Sequence, residues 1–156
     1  METNNSILLI DDDKINNYIN VRLFKKQNSS CTISIARNGE EGLRLLEKTP
    51  NSLPDFIFLD IEMPIMNGIK FLDEYFKVNQ QGNPEAKIVI LAAAIHPKYE
   101  KVLATYPIHS FLIKPLTSEK IQNVMNDNLS ALKNINPATL SLLEPNPGIY
   151  PDPPKY

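Results

Sequence analysis

Three consecutive carboxylates, Asp11, Asp12 and Asp13, follow directly on the apolar run from Ile7 to Ile10. A fourth, Asp60, ends the apolar run from Phe56 to Leu59, and Lys114 stands just before Pro115 at the end of another such run. Carboxylates gathered in one place repel one another and cost stability. A divalent cation removes that cost. Mg2+ favours one or two carboxylates, with waters and phosphate oxygens completing its octahedron. A lysine ammonium is a movable point charge that can meet a phosphoryl oxygen. A carboxylate flanked by a metal and an ammonium can attack phosphorus, while the two cations stabilise charge on the transferred group. The chemistry these residue types support together is Mg2+-assisted phosphoryl transfer to an aspartate.

That chemistry requires a scaffold bringing residues from distant parts of the chain to one place. Ile7 to Ile10 and Phe56 to Leu59 are apolar on both faces, as strands buried in a parallel sheet are. Pro64 cannot donate to a ladder, so the second of these runs is over before it and Asp60 sits at a strand's carboxyl end. Thr32 to Ala36, Lys87 to Ala93 and Ser110 to Ile113 read as three more strands. Between them, Ile15, Tyr18, Ile19 and Leu23 recur with helical spacing and predict a helix from about Lys14 to Gln27. Asn38-Gly39 is a turn signal before a short helix from Glu40 to Lys48, and Asn67-Gly68 precedes a helix marked by Ile69, Leu72, Tyr75 and Phe76. Gln80 to Pro84 is a loop. Pro97 suits the first position of a fourth helix, with an inner face of Tyr99, Val102, Leu103 and Tyr106. Thr117 or Ser118 can cap a fifth, striped by Ile121, Val124, Met125, Asn128, Leu129 and Leu132. Strand and helix alternate five times, which predicts a doubly wound parallel sheet with right-handed crossovers. The acidic triplet, Asp60, Ala92-Ala93-Ala94 and Lys114 then share the carboxyl edge, where open α/β sheets bind ligands.

Length and composition fit this picture. A chain of 156 residues makes one domain with a real core. A net charge of −2 offers no basic field for nucleic acid. Cys31 is the only cysteine, so no internal disulfide is possible, which suits a reducing compartment. Residues 1–6 lack the basic and apolar regions of a signal peptide, and the longest apolar run, Ile88 to Ile95, is too short to span a bilayer. A cytoplasmic protein with no membrane segment is expected. From residue 134 the character changes. Six of the 13 prolines fall between Pro137 and Pro154, so residues 134–156 are expected to form an extended tail after a domain spanning residues 1–133. No DNA-binding or catalytic output unit is expected in that tail.

The stretches Ile7 to Asp13, Asn38 to Leu43, Leu59 to Gly68 and Phe111 to Pro115 together resemble the CheY-like receiver domain of two-component response regulators. The similarity covers about Ser6 to Lys133. It implies a flavodoxin-like strand order 2-1-3-4-5. It further implies that Asp60 accepts the phosphoryl group and that Asp11 and Asp12 form the acidic pair, with Asp12 ligating Mg2+ directly. The backbone carbonyl of Glu62 becomes another ligand, Lys114 contacts the phosphoryl group, and the bond to Pro115 is cis. The implied partners are a histidine kinase or a histidine phosphotransfer protein as donor, and a downstream protein bound as the output.

One departure stands out. The family usually carries Ser or Thr where this chain has Ala92, and that hydroxyl works with an aromatic switch residue, here Phe111. Two other functions compete with phosphoryl acceptance. A haloacid-dehalogenase-like phosphohydrolase would carry a second Asp two residues after its nucleophile, where Glu62 stands. A receiver-like interaction module independent of phosphorylation is suggested by Ala92 and opposed by Asp12, Asp60 and Lys114.

Overall fold

The computed structural model describes residues 4–78, 86–94 and 96–126. Five strands, β1 (Ser6–Ile10), β2 (Thr32–Ala36), β3 (Phe56–Asp60), β4 (Lys87–Ala92) and β5 (Ser110–Ile113), alternate with five helices. These are α1 (Lys14–Gln27), α2 (Gly39–Lys48), α3 (Gly68–Val78), α4 (Pro97–Leu103) and α5 (Ser118–Met125). The strands form one sheet in the order β2-β1-β3-β4-β5, and every pairing is parallel. This is the flavodoxin-like arrangement of CheY.

Strands buried on both faces feed two cores. On one face Leu8, Ile10, Ile57, Leu59, Ile88 and Ile90 pack with Leu46 of α2, Phe71, Leu72 and Tyr75 of α3, and Leu103 of α4. On the other, Ile7, Leu9, Phe58, Val89 and Leu91 meet Phe24 of α1 and Ile121 and Val124 of α5. Successive side chains of a strand point to opposite faces, so continuous apolar runs supply both cores at once.

The helix boundaries follow their caps. Asp13 caps α1, accepting from the N–H groups of Ile15 and Asn16 at 2.8 and 3.0 Å. Asn38 caps α2 and Thr117 caps α5. Pro97 occupies the first turn of α4. That helix ends at Leu103, sooner than the Tyr99-to-Tyr106 pattern predicts. Pro107 disfavours helical backbone at the residue before it, so Tyr106 falls in the turn beyond the helix. Its hydroxyl donates to Asp73 on α3, which helps to hold its pKa up at about 12, after the larger effect of burial.

The spacing of Ile15, Tyr18, Ile19 and Leu23 locates α1 correctly but not its inner face. Ile15 is 72% exposed and Tyr18 62%, whereas Asn17, Asn20 and Phe24 are the buried residues of the helix. The Gln80–Pro84 loop, the continuation of α5 through Asn128, Leu129 and Leu132, and the proline-rich stretch 134–156 lie outside the described residues. No helix among the described residues is long and apolar enough to cross a membrane.

Candidate functional site

β1 and β3 are adjacent and parallel, so the chain leaves both at the same edge. Asp11, directly after β1, is fully buried, and Asp60, the last residue of β3, is 8% exposed. Asp12 is exposed beside them. One carboxylate oxygen from each of Asp11, Asp12 and Asp60 lies within 4.8 Å of the others. Asp13 turns away to cap α1, so the triplet divides by role: two carboxylates face the cluster and one faces the helix.

Lys114, directly after β5, reaches across β4 to this cluster. Its Nζ donates to Asp11 Oδ2 at 2.8 Å and to Asp60 Oδ2 at 2.9 Å. The other Asp11 oxygen accepts from the Asp13 N–H at 2.9 Å, and the other Asp60 oxygen accepts from the Glu62 N–H at 3.3 Å. Asn17 donates to the Asp11 carbonyl at 2.7 Å, which fixes the backbone from the α1 side. Behind Asp60, a Cβ built on Gly68 would come within 2.5 Å of the Asp60 carbonyl oxygen, so only glycine lets α3 start so close to the end of β3.

Burial pushes the Asp60 carboxyl above its ordinary pKa. The charge of Asp11 adds to this, while the hydrogen bonds from Lys114 and the Glu62 N–H pull the other way. Burial works against the Lys114 ammonium, but its bonds to Asp11 and Asp60 outweigh that and hold its pKa above the ordinary lysine value. Two buried acids with one ammonium leave an excess of negative charge. Three hard oxygen donors at this separation suit a small divalent cation such as Mg2+.

The remaining predicted positions take up the surroundings. Glu62 is exposed at the rim. Ala92, 5% exposed, ends β4, and its carbonyl accepts from the Lys114 N–H at 2.8 Å. Phe111, opposite Ile90 in the β4–β5 register, is half-buried against the α2–α3–α4 core. The Lys114–Pro115 peptide is cis. Two contributors escaped the sequence reading. Asn17 belongs to a polar stripe with Asn20 at helical spacing, a visible pattern that an apolar search passes over. Lys120, on α5, donates to the Ile113 and Pro115 carbonyls, and its residue type alone carries no sign of that.

A doubly wound parallel sheet with clustered aspartates and one lysine at its carboxyl edge defines a class of phosphoryl-handling signalling domains. The chain belongs to the response regulator receiver domain family, whose model matches residues 7–126. Among relatives, it is 30% identical over 116 residues to a probable C4-dicarboxylate response regulator, DctR, of Halalkalibacterium halodurans, covering 74% of this chain and 47% of that protein. It is 29% identical over 120 residues to hybrid signal transduction histidine kinase G of Dictyostelium discoideum, covering 77% of this chain and 3% of that protein. The chain thus spans about half the length of the first relative and a small part of the second. Among solved structures, a two-component response regulator from Legionella pneumophila superposes with a TM-score of 0.70 at 30% identity, covering 80% of this chain and 98% of that one. Receiver domains are phospho-accepting signalling modules that bind Mg2+ at an acidic pocket and are phosphorylated by histidine kinases.

Proposed function

We propose that this chain accepts a phosphoryl group on Asp60 from a histidine kinase or a histidine phosphotransfer protein, and that its output is binding to a downstream protein. The observation that supports this most is the Lys114 ammonium held between Asp11 and Asp60, close to Asp12. In the reaction an Asp60 oxygen attacks phosphorus. The bond from phosphorus to the donor imidazole nitrogen breaks, and the imidazole leaves with the bonding pair and takes up a proton. Asp60 becomes an acyl phosphate. Lys114 is placed to follow the developing charge from the carboxylate to the phosphoryl oxygens. Asp11, Asp12, Asp60 and the Glu62 carbonyl are the groups that would hold Mg2+. When bound, the ion neutralises the repulsion between carboxylates and incoming phosphate. Ala92 and Phe111 take the switch positions, and the module works in the cytoplasm.

The donor side also has a surface. α1 begins directly after the acidic cluster, and Ile15, Tyr18 and Ile19 leave its outer face apolar. A protein donor can bury these residues while its histidine reaches Asp60.

The test is incorporation of phosphate from acetyl phosphate in the presence of Mg2+. Asp60→Asn is expected to abolish incorporation, and omission of the metal to suppress it in the unaltered chain. Undiminished incorporation by Asp60→Asn overturns the assignment. A second reading, a binding module independent of phosphorylation, is favoured by Ala92, which has no hydroxyl to meet a phosphoryl oxygen. A chain that incorporates no phosphate from any donor supports that reading instead.

A further inference from the structure

Lys114 has a long, flexible side chain, yet its ammonium sits between two particular oxygens. Its backbone is held from two sides. On the inner side, the Lys114 N–H donates to the Ala92 carbonyl of β4 at 2.8 Å. The Ile113 carbonyl belongs to the same planar trans peptide group as that N–H, so it points the opposite way, to the open side of β5. β5 is the edge of the sheet, where outward carbonyls have no ladder partner. Lys120 of α5 supplies one. Its Nζ donates to the Ile113 carbonyl at 2.6 Å and to the Pro115 carbonyl at 2.8 Å. These are the residues immediately before and after Lys114.

The residue type at position 120 supports a specific role. Thr117 is the N-cap, and its hydroxyl accepts from the Lys120 N–H at 3.2 Å, so Lys120 is the third residue of α5. That position favours Glu or Gln, which can return a hydrogen bond to the cap. A cation there is disfavoured by the helix dipole. Lys120 finds its partners outside the helix, in the loop that carries Lys114.

We propose that Lys120 is a positioning residue for Lys114: it pins the backbone on both sides of that lysine, so that the Lys114 ammonium stands between Asp11 and Asp60. For its consequence on reaction rate, the inference rests on the reading of Asp60 as phosphoryl acceptor. Its geometric content does not.

Two measurements separate these parts. In 15N-labelled protein, the Lys114 ammonium resonance is assigned by its loss in Lys114→Arg. It is expected to be visible in the unaltered chain, to shift or broaden away in Lys120→Met, and to persist in Lys120→Arg, whose guanidinium can serve both carbonyls. An unchanged resonance in Lys120→Met, or none in the unaltered chain, overturns the proposal. Should the methionine variant not fold, Lys120→Ala, which also lacks a side-chain donor, carries the same comparison. In parallel, uptake of phosphate from acetyl phosphate at saturating Mg2+ is expected to slow in Lys120→Met, by up to the roughly hundredfold loss that a 1 Å misplacement of a reacting group brings, and to recover in Lys120→Arg. Equal uptake rates in the unaltered chain and Lys120→Met overturn the proposal. A chain that takes up no phosphate at all overturns the acceptor reading, and the ammonium resonance still decides the role of Lys120.

Discussion

α1 and α3 both start at the carboxyl edge of the sheet, and both carry apolar residues at helical spacing. They use them in opposite ways. α3 buries Phe71, Leu72 and Tyr75 against the sheet. Across its length α1 buries Asn17, Asn20 and Phe24, and it leaves Ile15, Tyr18 and Ile19 outside. Helical period reports that a helix forms, but not which side faces inward. That side is set by what the sheet presents. α3 crosses a flush apolar surface, whereas the first turns of α1 lie beside Asp11, whose carbonyl needs a donor. Asn17 supplies it. Of the five buried polar residues among those described, Asp11, Asn17, Asn20 and Asp60 belong to α1 or to the strand ends next to it, and only Ser110, at the start of β5, lies elsewhere. Polarity inside and apolarity outside are two aspects of one arrangement around the site.

The contrast can be broken at either helix. Phe71→Ala on α3 is expected to cost about 3–5 kcal/mol, because it empties a fully buried site that packs on Tyr75 at 5.7 Å between ring centres. Urea unfolding measures it, and a loss under about 1 kcal/mol would mean that the α3 face is not the core described. On α1 the sensitive residue is polar. Asn17→Ala leaves the buried Asp11 carbonyl without its donor and is expected to cost about 1–3 kcal/mol. Asn17→Leu, which would improve an apolar inner face, is expected to destabilise as well. If the leucine variant is more stable than the unaltered chain, the polar account of α1 fails.

Asp60→Asn sharpens the electrostatic half of the comparison. The folded pKa of Asp60 is raised, so the folded state holds that proton more tightly than the unfolded chain does. Its contribution to stability is therefore present at acid pH and is lost as pH rises from the ordinary carboxylate value through the folded pKa. The neutral variant is expected to melt at a higher temperature than the unaltered chain at pH 7, with a smaller advantage near pH 4. Equal advantages at both pH values would remove burial of charge as the cause. The smallest effect on stability belongs to the outer face of α1. Ile19→Ser is expected to change unfolding free energy by no more than about 0.5 kcal/mol. Transfer from a protein donor should slow while uptake from acetyl phosphate stays constant. Equal slowing with both donors would show that Ile19 serves the site and not a docking surface.

Much of this architecture was legible in the chain itself. β2, β5 and α1 have the limits that alternation and spacing indicate, because each run is bounded by turn formers or cap residues. Asp11, Asp12, Asp60 and Lys114 could be gathered because each stands at or just after the end of a strand, and parallel strands end together. The inner face of α1 could not be read, since burial of Asn17 depends on a carbonyl six residues earlier whose direction is known only once β1 is paired. The end of α4 was blurred by Tyr106, an apolar residue that meets α3 from a turn. Lys120 was hidden for the same kind of reason: its partners are backbone carbonyls, and these have no letter in the sequence.

The Lys114 ammonium bonds to Asp60, 54 positions earlier, and to Asp11, 103 positions earlier. Contacts between such distant parts of a chain are slow to form, because the entropy of closing the intervening loop is lost before the contact repays it. During synthesis the carboxylates emerge first and the ammonium last. A growing chain that has not yet added its edge strand carries an aspartate at position 60 without its cation. On the acceptor role proposed for Asp60, competence for phosphoryl transfer then coincides with completion of the sheet, and a donor testing the site also tests whether β5 has joined it.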